Sequence, residues 1–158
     1  MIRPARIEDS SALTQVIEDF GYHVEAAELD IVLKKHLNSP DRYAFVAEIH
    51  GTVVGAIGLQ VIEYFHRDAS MLRVTYISVM QEHRRQGIAR RLMDSALSHA
   101  IEKGCDKLEL TTGSHRSDEA HKFYESCGFI KYDGVRYVMK AARQQSGSSE
   151  PHTRPAGL

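Results

Sequence analysis

The sequence is poor in the residues that mark disulfide-stapled or metal-bound scaffolds. Its 158 residues include no tryptophan, four prolines and two cysteines. Cys105 and Cys127 lack the spacing of metal ligands, and they have no secretory N-terminus of the kind that accompanies a disulfide framework. We therefore expect both cysteines to be reduced thiols.

Excess charge of either sign is missing as well. Lysine and arginine together number 20 against 21 acidic residues, which gives a formal net charge of −1. A molecule with this balance does not attract nucleic acid or an anionic membrane as a whole, so any anion site must be a local cluster. We expect no nucleic-acid partner.

Long apolar runs are also absent. Residues 1–6 contain no apolar signal core, and no uninterrupted apolar run in the sequence approaches the roughly 18 residues of a membrane span. The sequence therefore predicts a cytoplasmic protein without a membrane partner.

The composition that remains fits one folded domain followed by a polar segment. Hydrophobic residues make up 42% of the chain, which is enough to fill a core. From about Ala142 the composition turns to Gln, Ser, Gly, Glu and Pro, which bury too little apolar surface to order a chain. We predict a domain over residues 1–142 and a polar, flexible tail over residues 143–158.

The hydrophobic pattern changes its period several times along the chain. Its order predicts one strand, two helices, three strands, a helix, a strand, a helix and two strands. The helices are predicted at residues 10–20, 29–37, 88–103 and 118–127, and the strands after the first at 43–49, 52–65, 71–80, 107–112, 130–132 and 135–139. The third helix is predicted to bury one face made of Ile88, Leu92, Ala96, Leu97, Ala100 and Ile101. The order predicts an α/β (α+β) protein, with a mixed sheet covered by helices.

The segment from Val79 to Ala89 combines a strand end, a basic turn and the start of an amphipathic helix. The first turn of a helix leaves backbone N–H groups unpaired and carries positive dipole, so it can hold a pyrophosphate. Small residues at 87 and 89 would let phosphate oxygens approach the backbone. Arg84, Arg85 and Arg90 add positive charge, and the sequence therefore predicts an anion site here.

Two motifs identify a family. Arg84-Arg85-Gln86-Gly87-Ile88-Ala89 matches the Arg/Gln-x-x-Gly-x-Gly/Ala motif of the GNAT N-acetyltransferase superfamily, and the segment from Ala120 to Phe129 resembles its late Ala-x-x-Phe-Tyr-x-x-x-Gly-Phe motif. The resemblance implies a mixed, mostly antiparallel sheet of six to seven strands flanked by about four helices. It also implies acetyl-CoA as the cosubstrate.

The resemblance assigns roles to residues by position. The backbone of Ile77, Ser78 and Val79 would pair with the pantetheine arm, and Ser117 would supply a polar contact where many relatives have asparagine. Tyr124 would act as the general acid beside the coenzyme sulfur. The pyrophosphate would be held by Arg84, Arg85, Gln86, Gly87, Ile88, Ala89 and Arg90.

The general base is left open, because the strand segment 73–78 has no carboxylate where many relatives carry a glutamate. The candidates are Glu63, His66, Asp68, Glu109, His115 and His121. Histidine titrates near neutral pH, although most surface histidines are only solvated. Several of these side chains could instead bind a divalent metal, but their spacing matches no standard ligand set, so we expect no metal.

These observations favour direct transfer of an acetyl group to a primary amine. The histidines around the late helix and His66 are similar to those of aminoalkylphosphonate and aminoglycoside acetyltransferases, which predicts a small polar amine as substrate. Two alternatives stay open: an acetyltransferase of protein N-termini or lysines, and a coenzyme A-binding sensor without turnover. The identity of the amine and the presence of a homodimer are open as well.

Overall fold

The computed structural model describes residues 1–112, 118–139 and 141. The predicted tail at 143–158 and two predicted site residues, His115 and Ser117, lie outside this part of the chain. The strands are β1 (Ile2–Pro4), β2 (Arg42–Ile49), β3 (Thr52–Glu63), β4 (Ser70–Val79) and β5 (Leu108–Glu109). The helices are α1 (Ser10–Asp19), α2 (Ala26–Leu37), α3 (Ile88–Glu102) and α4 (Asp118–Ser126). None of the helices in the described ranges is both long and apolar enough to cross a membrane.

The five strands form one sheet in the order β1-β2-β3-β4-β5. The first three pairings are antiparallel, and β4 pairs with β5 in parallel. His50 and Gly51 turn β2 into β3 with positive φ angles of 48° and 82°, which match the twist of a tight hairpin. The predicted α+β class, with a mixed, mostly antiparallel sheet and four helices, is confirmed.

A bulge in β4 changes which of its side chains face each layer of helices. Gly58 pairs with Tyr76 and Leu59 with Val74, so Thr75 is an extra residue on β4. Because of this insertion, the side chains before and after the bulge share the face packed against α3. Tyr76 instead packs with the apolar cluster of α1 and α2.

Helix α3 buries a narrower stripe than the sequence predicts. Its buried residues are Ile88, Leu92, Met93, Ala96 and Ala100. Leu97 and Ile101 are predicted from the sequence to lie on the buried face, yet they are 47% and 71% exposed. At about 100° per residue they lie roughly 100° or more around the helix from the centre of that stripe, so they point away from the sheet.

The sheet of the described residues has fewer strands than the sequence predicts. The expected six or seven strands are five, and residues 130–139, predicted as a hairpin, form no strand. Ile130, Tyr132 and Val135 are exposed. Strand propensity is realised only where a partner strand supplies pairing, and the last strand of the sheet, β5, is two residues long.

Candidate active site

The loop between β4 and α3 bends through two residues with left-handed backbone conformation. Arg85 has a φ of 60° and Gly87 a φ of 74°. Positive φ is uncommon for a residue other than glycine, and such residues cluster at functional sites. The Arg91 N–H donates to the Gly87 carbonyl (3.1 Å), so the N–H groups that precede Arg91 in α3 belong to the unpaired first turn.

A cavity of about 430 Å³ opens at this helix start. We call it the arginine cleft. Its lining from β4, the loop and α3 is Val79, His83, Arg84, Arg85, Gly87, Ile88, Ala89 and Arg90, and its lining from α4 is Glu119, Lys122, Phe123 and Ser126. A Cβ atom at Gly87 would meet nothing within 4 Å, so the space beside this backbone is open to a ligand.

The predicted arginines are used in different ways. Arg84 donates from Nε to the Val79 carbonyl (3.0 Å), and its Nη2 lies 3.7 Å from the carboxylate of Asp19. Arg90 donates from Nη1 to the Ser126 carbonyl at the end of α4 (2.7 Å). These two side chains therefore brace the walls of the cleft.

Arg85 and Lys122 carry the more available positive charge. The Arg85 side chain is 76% exposed, and its Nη2 pairs with Glu119 across the cleft at 2.8 Å. Lys122 is exposed on α4, the same wall as Glu119, and it has no ion pair among the described residues. Gln86, in contrast, lies outside the lining, and its side-chain amide is 3.4 Å from the Glu82 carbonyl. An anionic ligand would thus meet backbone N–H groups, Arg85 and Lys122.

The edge of β4 next to the cleft is open in the described part of the chain. Strand β5 pairs with Leu72 and Arg73, so no strand of residues 1–112, 118–139 or 141 pairs with residues 74–79 on that side. The Met80 N–H donates to the Val54 carbonyl of β3 (2.8 Å). Since neighbouring residues direct their backbone groups to opposite edges, Ile77 and Val79 face the open edge, whereas Ser78 faces β3.

Two of the predicted catalytic residues, Tyr124 and His121, lie on helix α4 but away from its face towards the cleft. Glu119, Lys122, Phe123 and Ser126 share its cleft face. Tyr124 lies towards the core, where its ring centroid is 5.3 Å from that of Phe123 and 6.0 Å from that of Phe129. His121 is half-exposed and falls on the opposite side of the helix from the cleft face.

The other predicted bases that lie in the described part of the chain are not brought to the cleft. Glu63 is exposed and pairs with Ser70 at the far end of β3 and β4, which is about 30 Å along the strand from Val79. Glu109 lies 2.8 Å from Arg73 and 2.7 Å from Lys107, so its carboxylate is already paired. His66 and Asp68 are exposed in the loop before β4. Within residues 1–112, 118–139 and 141, no group of three or more His, Cys, Asp or Glu side chains could hold a metal.

Sequence reasoning missed three charged residues at this site: Glu119 and Lys122 in the lining, and Asp19. Asp19 accepts a hydrogen bond from the Gln81 N–H (2.7 Å), which ties the end of α1 to the loop. A signal for Asp19 was available, because acidic residues are unfavourable in the last turn of a helix and α1 ends on Glu18 and Asp19. Glu119 and Lys122 share a helix face with Phe123, and that spacing was readable once the late helix was recognised.

Comparison with known proteins places the chain in a family. Residues 11–129 match the acetyltransferase (GNAT) family. The chain is 32% identical to human N-acetyltransferase 8 over 100 residues, which are 63% of this chain and 44% of that protein. It is 29% identical to the spermidine N(1)-acetyltransferase of Vibrio cholerae over 106 residues, 66% of this chain and 58% of the relative.

Solved structures of acetyltransferases share the fold. An aminoglycoside acetyltransferase from an uncultured soil metagenomic sample, solved in complex with sisomicin, superposes with a TM-score of 0.75 at 21% identity, over 90% of this chain and 96% of the other. The chain spans about half the length of the curated relatives it matches. With the family match over residues 11–129, the motif at the start of α3 and this fold, the chain belongs to the acetyltransferase (GNAT) family.

Proposed function

We propose that this protein is an N-acetyltransferase that uses acetyl-CoA and acetylates a small primary amine directly. The observation that carries the proposal is the arginine cleft, where an unpaired helix start, an open glycine and exposed cations meet the open edge of β4. These residues fit a ligand with a pyrophosphate and an extended amide-containing arm, because such a ligand needs anion-binding N–H groups and a strand edge.

The residues at the cleft would contribute to donor binding in different ways. The N–H groups of the first turn of α3, with Arg85 and Lys122, would hold the phosphates. The backbone groups of Ile77 and Val79 would pair with the pantetheine arm. Ser78 takes no part through its backbone, because it faces β3. Arg84 and Arg90 keep the loop and α4 in place.

Direct transfer needs no nucleophile from the protein. When bound, acetyl-CoA supplies an acetyl group activated as a thioester. Burial raises the pKa of the Cys127 thiol above its usual range, so it stays protonated and unreactive at neutral pH. Tyr124 would donate its phenol proton to the leaving sulfur, as the family resemblance implies. The amine proton would leave through a base that is still unassigned.

The named activities of relatives support a small amine as the acceptor. One relative is named for spermidine and one superposed structure for an aminoglycoside. Both acceptors carry primary amines. Cytoplasmic location stays a prediction from the sequence.

The test is acetyl transfer by the purified full chain. Acetyl-CoA is mixed with a panel of primary amines and lysine peptides, and both thiol release and the acetylated product are measured. Amine-dependent thiol release with an N-acetylated small amine is the expected result. Transfer to peptides alone would assign a protein acetyltransferase, and binding of acetyl-CoA without transfer to any acceptor would assign a sensor. Either outcome would overturn the proposal.

A further inference from the structure

A second cavity, of about 210 Å³, lies on the other side of the sheet from α3. We call it the apolar groove. It runs between α1, α2 and strands β2, β3 and β4. Its lining is Ala5, Leu13, Ile17, Leu29, Val32, Leu33, His36, Ala44, Phe45, Val46, Ala56, Ile57, Gly58, Thr75 and Tyr76.

The chemistry of this lining is almost entirely hydrocarbon. Its polar side chains are His36, Thr75 and Tyr76, and none of its residues is an acid, a lysine or an arginine. His36 is engaged with the Tyr43 carbonyl through Nε2 at 2.8 Å. The Tyr76 hydroxyl lies 2.5 Å from the Ser78 Oγ, and burial raises the pKa of Tyr76 to about 12. The groove therefore offers an apolar surface with the neutral tyrosine of β4 in its lining.

The groove reaches the strand that is proposed to bind the donor. Thr75, the extra residue of the bulge, and Tyr76 line it, and Ile77 on the open edge follows at once. Gly58 lies opposite, and a Cβ atom there would come within 3.1 Å of the Thr75 Oγ1. A molecule in the groove would therefore present one end beside the segment of β4 where the acetyl group is expected.

The charge around the groove favours a cation at that end. Residues 10–37, which include α1 and α2, contain five carboxylates and two lysines. Residues 80–91, which form the loop and the start of α3, contain four arginines and one glutamate. A field of this sign attracts an ammonium group to the α1–α2 side and the anionic donor to the other.

We propose that the apolar groove binds the hydrocarbon part of the acceptor, and that the acceptor is a primary amine carrying an aromatic or alkyl group. This inference rests on the proposed acetyl transfer and names its substrate class. A cavity of about 150 Å³ with apolar walls holds benzene, so the groove has room for a phenylethyl or hexyl group. This apolar amine differs from the small polar amine that the sequence alone predicts.

Two variants of α2 separate the groove from general effects of charge. Val32 lines the groove and is 49% exposed, whereas its neighbour Ile31 is 54% exposed and lies outside it. Both substitutions, Val32→Asp and Ile31→Asp, add one carboxylate to the exposed part of the same helix. Both variants should therefore fold, and they differ in whether the charge enters the groove.

The experiment compares ethylamine, butylamine, hexylamine, 2-phenylethylamine and spermidine as acceptors at saturating acetyl-CoA. In the wild type and in Ile31→Asp, kcat/KM should rise about fourfold per methylene that enters the groove. In Val32→Asp this rise should be lost, while the KM for acetyl-CoA stays unchanged. Wild-type rates that are flat across the alkyl series, or highest with spermidine, would overturn the inference and leave acetyl transfer intact.

Direct binding decides the case in which no amine is acetylated. Calorimetric titration of 2-phenylethylamine should then show binding to the wild type and to Ile31→Asp that Val32→Asp has lost; in that result the groove stands and the proposed activity fails. Sedimentation of the same proteins adds one further outcome. A wild-type dimer that Val32→Asp dissociates would assign the groove to a second copy of the chain and overturn the inference.

Discussion

The arginine cleft and the apolar groove meet the same strand, β4, but they are built from opposite chemistry. The cleft uses backbone N–H groups, a left-handed Gly87 and positive side chains at the start of α3. The groove uses hydrocarbon side chains from five elements under the segment 10–37, in which carboxylates outnumber lysines. One side is suited to an anion with a long arm, and the other to a cation with an apolar body.

This difference separates what a family shares from what one chain selects. A backbone anion site depends on a few small residues at fixed spacing, so a short motif can encode it. A side-chain groove depends on residues that are far apart in sequence and that any relative can change. Donor binding should therefore fail through single residues of the loop, whereas acceptor choice should respond to α1 and α2.

The largest expected effect is at Gly87, where Gly87→Glu places a carboxylate among the backbone N–H groups that are proposed to bind the phosphates. Loss of several charge-assisted hydrogen bonds should weaken acetyl-CoA binding on the order of 10⁴-fold. The matched control is Gly51→Glu, since Gly51 also has a positive φ and open space around its Cβ position. Calorimetry should find normal affinity in the control, and tight binding by Gly87→Glu would remove the loop from the donor site.

Tyr124→Phe tests whether chemistry, as distinct from binding, belongs to α4. The ring that packs against Phe123 and Phe129 is kept, so stability should change little. Loss of a general acid should lower kcat by about 10- to 10⁴-fold with the KM for acetyl-CoA near the wild-type value. Tyr132→Phe, at an exposed tyrosine, is the control. A change in kcat of only a few-fold would leave Tyr124 as a core aromatic.

A substitution at Arg85 tests whether a charge inside the cleft matters more for donor binding than a charge outside it. Arg85→Gln removes one exposed cation of the cleft, and the loss of one charged hydrogen bond should weaken acetyl-CoA binding about tenfold. Arg91→Gln removes the same charge from the exposed side of α3, outside the cleft lining. Equal losses in both variants, measured by titration at two salt concentrations, would mean that net charge alone attracts the donor.

The smallest effect is expected at Asp19, where the end of α1 contacts the loop of the arginine cleft. Asp19→Ala breaks the hydrogen bond from the Gln81 N–H that links α1 to the loop, and it also removes the longer contact of 3.7 Å with Arg84 Nη2. Loss of one such bond should raise the KM for acetyl-CoA about two- to fivefold without a change in acceptor preference. Glu18→Ala, one residue earlier and half-exposed on α1, should leave the KM as it is. A shifted acceptor preference in Asp19→Ala would contradict the separation of the two sides.

The contrast between local motifs and residues that are far apart in sequence also explains which features could be predicted from the sequence. The helices α1 to α4 and the strands β2 to β4 followed from hydrophobic period, because their burial is local and regular. The motif at 84–89 indicated the loop and the helix start that line the arginine cleft, and anion binding there stays a prediction. The bulge at Thr75, the bracing of Arg84 and Arg90, and the groove did not, because they depend on tertiary pairing between distant residues. The hairpin at 130–139 was overpredicted, because propensity carries no information about a partner strand.

Hydrogen exchange of the full chain with each ligand is the most direct test of the central claim, that donor and acceptor bind on opposite sides of β4. Acetyl-CoA should slow exchange in residues 77–91, and 2-phenylethylamine should slow it in residues 10–37 and at Thr75 and Tyr76. Protection of α1 and α2 by acetyl-CoA, with the segment 77–91 unchanged, would contradict the account.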